Sequence, residues 1–240
     1  MNRYPELGCG AQRELRRRLV VAVGGTLVLP GWARADLLSS LSSSDATAGI
    51  RAALTRGAGA AVDLLGKTDG FWSNERVRIP LPQWLEKAGS LFKMLGRQKD
   101  LDDLHLSINR AAEQAVPEAR TLLVGAVKTM SVQDAKSILT GGENSATQYF
   151  ENKTRTPLQG RFLPIVSKVT QRSGLARQYD SVAEQAKGLG LVKEDASVEH
   201  HVTNKALDGL FLMIGDEEKK IRANPAGTGS AILKKVFGSL

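Results

Sequence analysis

The chain holds a single cysteine, Cys9, so no disulfide can form within it and no pair of thiolates is available for a structural zinc site. Histidine is almost as scarce: His105, His200 and His201 are the only three, and none stands in an H-E-x-x-H arrangement. Neighbouring helical positions point about 100° apart, so His200 and His201 with Glu199 make no regular ligand set. A surface placement is expected for them, and no metal is predicted. Aromatic residues are 5% of the sequence against 42% hydrophobic residues overall, which predicts a core built from Leu, Ala, Val and Ile. The basic residues alternate with acids instead of forming an aromatic-studded stripe, so no nucleic-acid partner is expected. A membrane-spanning run is missing as well. The apolar stretch Leu19 to Leu29 reaches only about 16 Å as a helix, against a hydrocarbon core of roughly 30 Å.

That short stretch sits in a recognisable setting. Arg16, Arg17 and Arg18 precede it, and a small-residue Ala-x-Ala box at Ala33 and Ala35 follows. These are the three parts of a cleavable export signal, with cleavage expected after Ala35 and a periplasmic or otherwise exported product. The paired arginines and the glycines Gly24 and Gly25 fit a twin-arginine signal, with the general secretory route slightly favoured over it. Cys9 has no apolar region before it, which argues against a lipid anchor there. The 240 residues carry a net charge of +8. Residues 1–35 hold six basic and two acidic residues, leaving 27 and 23 in the rest, an ordinary excess of four.

After a serine-rich segment over residues 36–45, hydrophobic residues recur at helical spacing through residues 46–240, and no run alternates as a strand would. The expected fold is all-α: a single multi-helix domain around a long hydrophobic C-terminal helix. Ile50, Leu54, Ala58, Ala61 and Leu65 mark a first helix. Residues 66–82 lose the period and form the longest predicted loop. Pro82 can open a second helix with Trp84, Leu85, Ala88, Leu91, Phe92 and Leu95 inward. Leu104, Ile108 and Ala111 mark a third, and Pro117 starts another with Leu122, Leu123, Ala126 and Val127 inward. Ser131 and Asp134 make a capping box for a short helix stopped by Gly141 and Gly142. One segment is then expected to reach Phe150, a separate one to start at Thr156 or Pro157, and another to run from Leu175 to Lys187. The longest element covers about Ser197 to Ala223. Leu207, Leu210, Phe211, Leu212, Met213 and Ile214 leave little of its circumference polar, which predicts a central helix. Asp216, Glu217 and Glu218 meet Lys219, Lys220 and Arg222 at its far end, which is expected to be solvated. Ile232, Leu233, Val236 and Phe237 mark a last short helix.

Asn109-Arg110-Ala111-Ala112-Glu113, Asp134-Ala135-Lys136, Gly141-Gly142 and Ala146-Thr147-Gln148-Tyr149-Phe150 occur in order. Lys205-Ala206-Leu207-Asp208-Gly209-Leu210-Phe211, Asn224-Pro225 and Gly227-Thr228-Gly229-Ser230 follow. In this combination the chain resembles the bacterial domain of unknown function 4197 family over roughly residues 54–240. The resemblance implies an exported helical protein and supplies no activity.

The candidate polar residues are Asn109, Arg110, Glu113, Asp134, Tyr149, Lys205 and Asp208. Asn109, Arg110 and Glu113 share one helical turn and suit either helix packing or a polar ligand, packing being favoured. Tyr149 offers an apolar ring with a polar tip, suited to an interhelix contact. Asp208 lies beside an apolar stretch, so Lys205 or an arginine from another helix is expected to answer its charge. Gly227 to Ser230 lacks the lysine and spacing of a phosphate-binding loop, and no cofactor is expected. Phe71 and Trp72 suit either folding over the core or peripheral contact with a membrane. The leading functional expectation is a noncatalytic binding or interaction protein of the cell envelope, its partner an unidentified small molecule, lipid or envelope protein. An envelope enzyme of unrecognised class, such as a hydrolase, and a structural scaffold are the alternatives.

Overall fold

A computed structural model describes residues 43–94, 96–172, 177, 179, 180 and 197–224. The leader, most of the helix expected at 175–187, and the glycine-rich turn and short helix expected after residue 224 lie outside the described residues. So do the side chains of Ala88, Leu91, Phe92 and Leu95. Among the described residues every regular element is helical.

Helix α1, Ser43–Leu65, buries Ile50, Leu54, Ala58, Ala61 and Leu65 along one face. The next segment, 66–82, folds back through a series of turns: Gly70 N-H donates to Lys67 O at 3.0 Å and Arg78 N-H to Asn74 O at 2.8 Å. Pro82 then ends it by accepting the Glu86 N-H at 3.1 Å, just ahead of α2, Gln83–Met94. Proline suits this place because its lost N-H needs no partner there. Helix α3, Gln98–Ala115, leads through a 3-10 turn at Val116–Glu118 into α4, Ala119–Lys128. Helix α5, Val132–Thr140, opens on the capping box of Ser131 and Asp134 and stops at Gly141.

Two long helices follow among the described residues: α6, Ser145–Arg172, and α7, Val198–Ala223. They pack against each other, α1 packs on α7, and α3 and α4 pack on α6. The break expected before Pro157 does not occur, because α6 runs unbroken through Pro157 and Pro164. Both prolines are exposed, as are Lys153 and Gly160, whose carbonyls lose their helical donors. Water can serve those carbonyls, so the interruption costs little on that face.

Helix α7 is long and central to the packing, with Leu207, Phe211 and Ile214 buried on one stripe. It is not hydrophobic all round, however. Asn204, Lys205, Asp208 and Lys219 are exposed on its opposite side, and Leu212 on that side is 41% exposed. No helix among the described residues is long and apolar enough to cross a membrane.

Candidate functional site

The candidate polar residues fall in three separate places. The first is a clamp that α3 places on the 66–82 segment. Asn109 is fully buried and pairs with both backbone groups of Ile79: Oδ1 accepts the N-H at 2.8 Å and Nδ2 donates to the carbonyl at 3.0 Å. One turn on, Glu113 Oε1 accepts the N-H groups of Phe71 at 3.1 Å and Trp72 at 3.2 Å. Its other oxygen accepts from Arg110 at 2.7 Å, and Arg110 also donates to Asp69 at 2.7 Å. Asp69 has φ 67°, a left-handed conformation that Asp tolerates better than most residues, and there the chain turns sharply out of α1.

Two histidines extend the clamp. His105 Nε2 meets Ile79 O and His201 Nε2 meets Pro80 O, each at 2.9 Å, which sets the Nε2-H tautomer for both neutral rings. Burial pushes both below the usual imidazole pKa, more than the bond to the carbonyl raises them. His201 is therefore half-buried and not free on the surface as expected from sequence, whereas His200 is exposed. Among the described residues no group of three or more His, Cys, Asp or Glu is placed to hold a metal. The segment held this way turns Phe71, Val77 and Ile79 into the core, so those side chains face away from solvent. Trp72 stays partly exposed, edge-on to His105 at 5.0 Å and covered by the Arg78 guanidinium at 5.2 Å.

Asp134 and Tyr149 occupy a second place, near the start of α6. Asp134 accepts the Ser131 N-H at 2.9 Å, which lowers its pKa. Tyr149 donates to Ala126 O at 3.1 Å and joins α6 to α4. Its phenol is raised above the usual value, first by burial and then by the Asp134 charge.

The third place is a groove along the exposed side of α7, walled by α6 and by residues 76–80. It has two lobes, of about 420 and about 350 Å³, which share Arg76, Asp208 and Leu212. Asp208 lies here, accepting from Arg155 at 2.7 Å and from Lys205 at 3.4 Å. It is 47% exposed, so its neighbours answer a charge that water also reaches. Arg155 binds Glu151 as well, at 2.8 Å, and its guanidinium lies over the Phe211 ring at 5.4 Å. Burial works against the Arg155 charge, but the carboxylates of Asp208 and Glu151 outweigh it and raise its pKa. Across the groove Arg76 donates from both terminal nitrogens to Asp216, whose carboxyl it holds below the usual range.

The sequence pattern misassigned Glu218. It is 7% exposed, not part of a solvated helix end, and its carboxylate starts α6. Oε1 accepts the Ala146 N-H at 3.0 Å, and Oε2 accepts the Thr147 N-H at 2.9 Å and its hydroxyl at 2.8 Å. Arg222 pairs with Glu218 at 2.9 Å and donates to Ile138 O and Ser145 Oγ, both at 2.8 Å. A signal for this existed: Leu207, Phe211, Ile214, Glu218 and Ile221 continue one stripe at alternating four- and three-residue steps. The rest of the groove, Arg76, Arg155, Leu212 and Lys219, could not be assembled from sequence, because it joins three segments far apart in the chain.

These observations define an all-α domain in which a clamped segment and two long helices frame a charged groove. The family model described as "Protein of unknown function (DUF4197)" matches residues 40–238, and the chain belongs to that family. Comparison with curated proteins and with solved structures gives no match.

Proposed function

We propose that the protein is a noncatalytic binding protein of the bacterial cell envelope, with the two-lobed groove beside α7 as its ligand site. One observation carries the reading: two lobes that share an exposed leucine are lined by charged side chains, several of them already paired with one another. Arg155 is braced by two carboxylates and an aromatic ring, so a ligand meets it with little ordering left to do, and Arg76 is paired with Asp216 at the surface. The mutual neutralisation of these groups suits recognition better than proton transfer, which needs a titrating group free to change state. Envelope placement is supported by the basic, apolar and small-residue pattern of residues 13–35.

The test is to express the full chain in a bacterium, isolate it from the periplasmic fraction, and identify co-purifying molecules by native mass spectrometry. The expected product begins at Asp36 and carries a ligand that a Leu212→Arg variant of equal thermal stability has lost. Intact Met1 in the cytoplasm defeats the placement. The same bound molecules in both proteins defeat the site.

A further inference from the structure

We infer that the groove takes an extended peptide bearing an acidic side chain at each end of a central apolar one; this rests on the groove being the ligand site. Lys205, Asp208, Leu212, Asp216 and Lys219 recur on one side of α7 at steps of three and four residues. From the first to the last the helix rises about 21 Å, the length of roughly six extended residues.

The middle and the ends of this track differ in chemistry. Leu212, at the centre and common to both lobes, is one of the few large hydrophobic side chains exposed among the described residues. The lining carboxylates are already spoken for: Asp216 by Arg76, Glu151 by Arg155, and Asp208 by Arg155 and Lys205. Cations remain in surplus at both ends. Lys219 makes no ion pair among the described residues and marks one end. At the other end Lys205 and Arg155 share the single carboxylate of Asp208, and Arg78, held against Trp72, lines the same lobe as Lys205.

Between these ends the wall from α6 supplies Gln148, with Asn144 just before the helix, both exposed in the groove. Each primary amide offers a donor and an acceptor, which is what a peptide bond in an extended chain has to satisfy. A lipid tail finds no comparable match, since Leu212 stands alone and gives an acyl chain little surface to bury. Nucleic acid meets no exposed aromatic ring, because Phe211 lies buried beneath Arg155, and a polyphosphate has no apolar group to set against Leu212. An acidic peptide with one apolar anchor uses every part of the track.

Fluorescence anisotropy on the purified full chain tests this with fluorescein-labelled Asp-Ser-Ser-Leu-Ser-Ser-Asp, whose end residues lie about 20 Å apart when extended. The same peptide with lysine ends, and the same with serine at its centre, are the comparisons. The acidic leucine peptide should bind about tenfold tighter than either. Lys219→Glu should weaken it about fivefold and narrow the gap to the lysine-ended peptide, and Leu212→Ser should remove the preference for the central leucine. Circular dichroism melting of both variants should match the unaltered protein. Equal binding of the three peptides, or none, overturns the inference, as does displacement by inorganic phosphate or stronger capture by phosphatidylglycerol vesicles. If the peptides fail while Leu212→Arg still strips a co-purified ligand, only the peptide assignment falls. If Leu212→Arg strips nothing, the groove itself is not the site.

Discussion

Phe71 fills the space that a side chain at Gly209 would need: a Cβ built on Gly209 would lie 2.9 Å from the Phe71 ring and 3.2 Å from Val77 Cβ. Glycine in mid-helix is worth about 1 kcal/mol less than alanine, so Gly209→Ala ought to stabilise α7 by that amount were the position open. Here the ring is fully buried and cannot swing aside. Overpacking of this type costs about 1–3 kcal/mol, which outweighs or cancels the helical gain. Urea unfolding should show a lower or unchanged midpoint for Gly209→Ala, and a clear rise would mean that Phe71 does not sit against the helix.

Glu218→Gln removes the charge that accepts two backbone N-H groups at the start of α6 and faces Arg222. Breaking a buried pair from one side costs about 3–5 kcal/mol, and the partial exposure of Arg222 places the expected loss near the lower bound. Glu217→Gln alters a surface pair with Lys220 one position away and should change stability by under about 1 kcal/mol. Equal effects from the two variants in parallel urea titrations would remove Glu218 from its role in starting the helix.

His105 and His201 both take up protons at lower pH in the folded protein than the usual value of 6.5, because burial disfavours the charged rings. The unfolded chain therefore binds protons first as pH falls. The contribution of these rings to stability is complete above about pH 6.5 and is lost as pH drops towards their folded values. The urea midpoint should decline between about pH 7 and about pH 5, and a His105→Gln, His201→Gln double variant should show a flatter decline. An identical slope in both proteins would place the titration elsewhere.

Phe211→Ala removes a ring that is 4% exposed, packed between the α7 stripe and the Arg155 guanidinium. A loss of about 3–5 kcal/mol is expected in reversible urea unfolding. A change under about 0.5 kcal/mol would put the ring at the surface.

Much of this architecture was legible in the sequence because helical periodicity is a local property. The end of α1, the bounds of α7, the capping box at Ser131 and the buried run through Phe211 all follow from spacing and cap chemistry, whereas α1 starts at Ser43, inside the serine-rich segment expected to precede it. The errors have identifiable causes. Pro157 reads as a break until it is known that its freed carbonyl faces water, and Leu212 reads as core because a run of apolar residues hides which of them faces out. Glu218 reads as solvated beside Asp216 and Glu217, although its place on the buried stripe sets it apart from both. Asn109, Arg110 and Glu113 were found as a cluster, but what they hold lies some thirty to forty residues earlier in the chain, beyond any local pattern.

The carboxylate that starts α6 is carried by α7, 72 residues after the amide it accepts. A ribosome makes the chain from its N-terminus, so all of α6 exists before Glu218 does. Until that residue emerges, the N-H groups of Ala146 and Thr147 are without the carboxylate that accepts them in the folded protein. The order of synthesis thus delays the closure of α6 until α7 has been made, and it assigns to one late glutamate the completion of a helix begun long before it.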